Sequence, residues 1–170
     1  MCLSGYEMGY NPDDEAQGSF LDLKVKEIMS PNPLTIAVNA TITQAAKAME
    51  EHDSSCVFAK SKGKIVGIIT ERDITRRVVG KGVSPKTTKV KSVMTARIVV
   101  TPPDASIEDA LNVMTANKVR RLPVVDQKGD LVGLVRVTDI AKALAERAGY
   151  TNSLITAMTK ETAPPMGVYG

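Results

Sequence analysis

"KIVGIITERDI", residues 64–74, returns 66 positions later as "DLVGLVRVTDI", residues 130–140. Each stretch is an apolar run with a glycine inside it, ending at a polar junction. An aspartate follows three residues on, Asp73 after Thr70 and Asp139 after Arg136. The echo extends upstream at an offset of 65: "VKEIM" (25–29) matches "VKSVM" (90–94), and "ATITQAAKAM" (40–49) matches "ASIEDALNVM" (105–114). One residue has been inserted between these blocks and the quoted stretch. The chain is therefore a tandem repeat, and self-similarity at a fixed period outweighs any local signal in assigning the fold.

The divisions follow from the repeat. Residues 1–24 form an N-terminal arm, 25–80 the first repeat, 81–89 a connector, 90–148 the second repeat, and 149–170 a C-terminal tail. Inside each repeat the local signals agree. Ile42, Ala45, Ala46 and Met49 recur at helical spacing, as do Ile107, Ala110, Leu111 and Met114. Thr41 with Gln44, and Ser106 with Asp109, read as helix N-terminal caps. After each helix come a short apolar run, a turn carrying Gly63 or Gly129, and a second apolar run. This order predicts a β-hairpin and then a second helix. Short extended pieces at 34–36 and 99–101 precede the first helix. Each repeat reads β-α-β-β-α, which makes the chain an α+β protein. A unit of about 60 residues buries too little surface to be secure alone. Two copies related by a pseudo-twofold and packed sheet to sheet cover each other's open faces.

Composition narrows the functional classes. The 170 residues are 43% hydrophobic and 24% charged, with a net charge of +3. That is an ordinary globular balance and argues against a dedicated nucleic-acid binder. Trp is absent and Phe and Tyr number two and four, so base-stacking platforms are scarce. Two cysteines and one histidine do not supply the ligands of a structural zinc site, so no metal is expected. No apolar run reaches the length that spans a membrane, and the N-terminus has no signal-peptide pattern. The expected location is the cytoplasm. Neither a Ser-His-Asp arrangement, nor a phosphate-binding P-loop, nor a histidine cluster occurs, so no catalysis is expected.

A duplicated β-α-β-β-α unit ending in Gly-h-h-Thr/Ser-x-x-Asp, together with "RRLPVVD" (120–126), resembles the cystathionine-β-synthase (CBS) domain pair, or Bateman module. The resemblance implies a regulatory sensor with no cofactor. Its ligand would be an adenine nucleotide (AMP above all, also ADP or ATP) or S-adenosylmethionine, held between the repeats. It implies homodimers that form a four-repeat disc, and a separate regulated protein. A ligand-free oligomerisation scaffold is the other reading.

The residues suit that role. Thr70 ends a strand and Asp73 opens a helix, where a carboxylate suits ribose hydroxyls and free N–H groups suit a phosphate. By itself a Thr-x-x-Asp junction is a helix cap; the duplicated frame favours a ligand site. Thr35, Ile36, Ile68 and Ile69 are candidates to sandwich the base. The resemblance carries Arg120 and Arg121, beside Leu122 and Pro123, across to the phosphate. A second, weaker site would use Asp139, with Val100 nearby, Ser54 and Ser55 standing where the arginines stand, and Arg136 replacing the threonine. Arg136 either supplies charge from below or fills the cleft and pairs with Asp139.

Overall fold

The computed structural model describes residues 23–147. The tail, with a short helix expected at 153–159, and nearly all of the N-terminal arm lie outside the described residues. The described chain runs α1 (Val25–Ile28), β1 (Ser30–Pro31), β2 (Thr35–Ala37), α2 (Ile42–Glu51), β3 (Cys56–Ser61), β4 (Lys64–Thr70) and α3 (Glu71–Arg77). After a 3-10 turn at Val79–Lys81 come α4 (Val90–Val93), α5 (Ile107–Asn117), β5 (Arg121–Val125), β6 (Leu131–Arg136) and α6 (Val137–Arg147).

The predicted hairpins form, and they carry the same irregularities. Lys62 and Gly63 both adopt positive φ, 49° and 80°, the geometry of a tight two-residue hairpin turn. Each hairpin has a register shift at the same place, between Ala59 and Lys60 in one and between Val124 and Val125 in the other. Helix α2 is capped as its sequence predicts, with Thr41 Oγ1 accepting from Gln44 N and the Gln44 side chain accepting from Thr41 N. Ser106 caps α5 by accepting from Asp109 N. One residue of the expected apolar face differs: Ala46 is exposed, while Ile42, Ala45 and Met49 are buried.

Two three-stranded sheets result, β2-β3-β4 and β1-β6-β5. The second contains a strand from the first repeat: Ser30 and Pro31 pair with Leu134 and Gly133 of β6. The exchange is reciprocal, since Thr95 forms a bridge with Ile68 of β4. The helices that precede these crossing segments follow them. Val25 of α1 packs with Ile107, Met114, Leu122 and Val135, all of the second repeat. Val90 and Val93 of α4 pack with Ile42, Met49, Val57 and Ile69 of the first. Each hydrophobic core is thus completed by the opening segment of the other repeat, so neither is an independent unit.

The crossing segments explain the glycine inside each quoted stretch. A Cβ on Gly133 would overlap the Met29 side chain, and one on Gly67 would overlap Met94 and stand 3.1 Å from the Thr95 carbonyl. These methionines lie across the strands at the two glycines, a contact only a residue without a Cβ permits. Between the sheets Cys56, Phe58 and Leu134 form a third buried cluster, joined by Ile65, Ile68 and Leu131. Lys64 and Asp130 occupy equivalent positions in the two repeats and pair with each other at 2.7 Å, which places them at the pseudo-twofold axis.

Candidate functional site

The pleat decides which candidates face the space between the repeats. Thr35 pairs with Phe58, and Ile68 is also opposite Phe58, so all three lie on the inter-sheet face. Pro123 pairs with Leu134 on the corresponding face of the other sheet. Successive side chains on a strand alternate sides. Ile36, Ile69 and Leu122 therefore face the cores: Ile36 packs against the first, while Ile69 and Leu122 are fully buried in the first and second. Alternation thus separates Ile36 from Thr35 and Ile69 from Ile68 among the residues expected to sandwich the base, and Leu122 from Pro123 beside the arginines.

Asp73 stands at the N-terminus of α3 in a capping box. Its Oδ2 accepts from Thr70 N at 3.0 Å and from Thr70 Oγ1 at 2.7 Å, while Asp73 N donates to Thr70 Oγ1. Its Oδ1 lies 3.3 Å from Arg77 Nη2. Arg77 also donates through Nη1 to the Val93 carbonyl at 2.6 Å and reaches Thr95 Oγ1 at 3.4 Å. Arg77 is a residue that sequence reading missed. Its only signal was the i,i+4 spacing from Asp73, shared by many surface pairs.

Arg121 crosses between the repeats. Its Nη1 donates to Ser55 Oγ at 3.1 Å. Ser55 in turn accepts, through its carbonyl, from Glu71 N at 3.2 Å, at the start of α3. A guanidinium of the second repeat is thereby brought to the strand-to-helix junction that holds Thr70 and Asp73. Arg120 is exposed, and its carbonyl accepts from Val137 N at 3.1 Å, mirroring Ser55 with Glu71.

That mirror sets the correspondence between the repeats. Arg121 is opposite Arg136 in one ladder and Cys56 is opposite Thr70 in the other. Ser55 and Cys56 therefore stand at the places of Arg120 and Arg121, one position later than the Ser54–Ser55 pairing read from sequence. Ser54 spends its hydroxyl locally on the Cys56 carbonyl at 2.8 Å. Val100, equivalent to Thr35, is exposed.

Around Asp139 the arrangement differs. Arg136 N donates to Asp139 Oδ2 at 2.9 Å and Arg136 Nε to the same oxygen at 3.0 Å. Arg136 Nη2 crosses to Ser30 Oγ at 3.1 Å. Of the two roles open to Arg136, pairing with Asp139 is the one it takes. Each repeat thus has an aspartate, an arginine and a hydroxyl from the crossing segment: Asp73, Arg77 and Thr95 in the first, Asp139, Arg136 and Ser30 in the second. Both carboxylates are sheltered, at 16% and 17% side-chain exposure. Among the described residues no group of three or more His, Cys, Asp or Glu could hold a metal ion, and no helix is long and apolar enough to cross a membrane.

The family profile of the CBS domain matches the chain twice, over residues 25–80 and 90–146. The CBS domain-containing protein YhcV of Bacillus subtilis is 37% identical over 117 residues, covering 69% of this chain and 82% of that protein. Among solved structures, a putative signal-transduction protein with CBS domains from Burkholderia ambifaria superposes with a TM-score of 0.65 at 32% identity, covering 71% of this chain and 88% of that one. The CBS domain pair of protein MJ0100, solved in complex with 5-methylthioadenosine and S-adenosyl-L-methionine, gives a TM-score of 0.66 at 27% identity, covering 74% of this chain and 98% of that one.

Proposed function

Because the chain belongs to the CBS-domain family and carries two such domains, we propose that it is a regulatory module that binds an adenine nucleotide in the cleft between its repeats. AMP is the preferred ligand, with ADP and ATP as related ones, and the output is delivered to a separate protein in the cytoplasm. The observation that carries this reading is the Arg121–Ser55–Glu71 chain of contacts. It brings a cation from one repeat to the helix start of the other, beside Thr70 and Asp73. Asp73 would exchange Arg77 for ribose hydroxyls, and Arg121 would turn from a neutral hydroxyl to a phosphate, a stronger, charge-assisted partner. Arg120 would add a second cation. Thr35, Ile68 and Pro123 supply the apolar surface for the base. Homodimers assembling as a four-repeat disc are part of the same proposal. The module performs no chemistry: the ligand shifts the relative orientation of the repeats by as much as its affinities for the two arrangements differ.

The MJ0100 complex favours one other reading, a sensor of S-adenosylmethionine. The two ligands differ in the charge of the tail, so Arg121 discriminates them. Titration calorimetry of the full chain with each ligand tests both. Arg121→Ala should weaken AMP about 10- to 100-fold, the worth of a hydrogen bond to a charged group, and S-adenosylmethionine far less. Asp73→Ala should weaken both. Unchanged AMP affinity in the Asp73 variant removes the site. No heat and no thermal shift with any adenosine compound leaves the oligomerisation scaffold.

A further inference from the structure

We infer that Arg136 closes the second cleft from within, so that the chain takes one nucleotide instead of two. The inference rests on the nucleotide reading of the first cleft and specifies which of the two pseudo-equivalent clefts is open. Arg136 occupies the ladder position of Thr70. On β6 it shares a face with Leu134, a member of the inter-sheet cluster, and alternates with Val135, which is buried in the second core. Its side chain therefore rises from the cleft floor, where Thr70 presents only a short hydroxyl.

Both clefts keep a tie between the aspartate and the crossing segment, but it takes different routes. In the first cleft the tie comes from Arg77, in the last turn of α3, with its guanidinium anchored on the Val93 carbonyl of α4 at 2.6 Å. In the second repeat the residue equivalent to Arg77 is Ala143, which has nothing to reach with. The tie there is made by Arg136, from the strand instead of the helix, to Asp139 at 3.0 Å and Ser30 at 3.1 Å. The same structural link has moved into the room that a ligand needs. A ribose approaching Asp139 must displace the Arg136 side chain, itself 46% exposed, from a carboxylate that is only 17% exposed. Cys56, where the first cleft receives Arg121, offers no cation in return. Arg136 is a specificity-determining residue that sets the number of sites.

The test counts sites on the full chain by equilibrium dialysis with labelled adenosine, which needs no cation. The variants are Arg136→Thr and the double variant Arg136→Thr/Ala143→Arg, which rebuilds the tie from the helix and so protects folding. Wild type is expected to bind one adenosine per chain, and both variants twice as many. Adding Asp73→Ala to Arg136→Thr should leave one. Two sites on wild type, or one on variants that melt like wild type, overturns the inference and leaves the nucleotide function standing. No site on wild type but one on Arg136→Thr upholds the role of Arg136 and removes the first-cleft reading. No binding by any form removes both.

Discussion

Replacing Gly67 with alanine tests the interlocked architecture most directly. The new Cβ would overlap the Met94 sulfur, stand 2.9 Å from Met94 Cγ and 3.1 Å from the Thr95 carbonyl. Met94 can swing aside, but the Thr95 carbonyl cannot move freely, because it accepts from Ile68 N at 3.0 Å while Thr95 N donates to Ile68 O at 2.8 Å. Overpacking of this kind costs about 1–3 kcal/mol. Against it stands a gain of about 0.4–1 kcal/mol from restricting the unfolded chain. The clash wins, and the net loss is about 1–2 kcal/mol, which for a chain of this size lowers Tm by roughly 3–8 °C. Urea denaturation of wild type, Gly67→Ala, Met94→Ala and the double variant measures it. In the double variant the alanine methyl enters space the methionine vacated. The two losses should then fall short of additivity by about 1 kcal/mol, well beyond the ~0.5 kcal/mol scatter of independent sites. A Gly67→Ala protein as stable as wild type, or losses that simply add, would refute the claim that the crossing segment requires this glycine.

Three further outcomes follow from the same packing. A fragment of residues 23–80 lacks Val90 and Val93 of its own core and should show no cooperative melt by circular dichroism; extending it through Thr95 should restore one. Thr70→Ala removes the cap of α3 and should cost about 1 kcal/mol in urea denaturation, within the usual range of ~0.5–2 kcal/mol for such caps. The third concerns acid. Asp104 and Asp130 are held below the ordinary aspartate value, first by hydrogen bonds from Lys26 and Lys64 and then by the charge of those lysines. Because their folded values lie below the unfolded one, the stability they add is present above about pH 4 and is lost as the pH falls through the lower, folded values. The urea midpoint of Asp104→Asn/Asp130→Asn should therefore lie below that of wild type at neutral pH and converge with it in acid. A gap that persists unchanged down to about pH 2 would show that the carboxylates do not act through their charge.

Much of this protein was written in the order of its residues. The repeat, the α+β class, the hairpins with their glycine turns, and the caps at Thr41, Thr70 and Ser106 all follow from period, spacing and turn chemistry. These are interactions between near neighbours. Asp73 and Asp139 stand out for the same reason, because duplication puts them in matching frames, whereas Arg121 is singled out by the family resemblance of "RRLPVVD". Three features were decided only by tertiary structure. The exchange of α1 and α4 between the cores depends on contacts between residues far apart in the chain, such as Val25 with Ile107 and Val90 with Ile42, on which local periodicity is silent. The division of Ile68 from Ile69, and of Pro123 from Leu122, depends on which sheet face meets the other repeat, because one step along a strand reverses a side chain. The identity of each aspartate's partner, Arg77 in one repeat and Arg136 in the other, depends on where the crossing segments lie. A flexible guanidinium finds its acceptor in space: the i,i+4 and i,i+3 spacings permit these two pairs but do not select them.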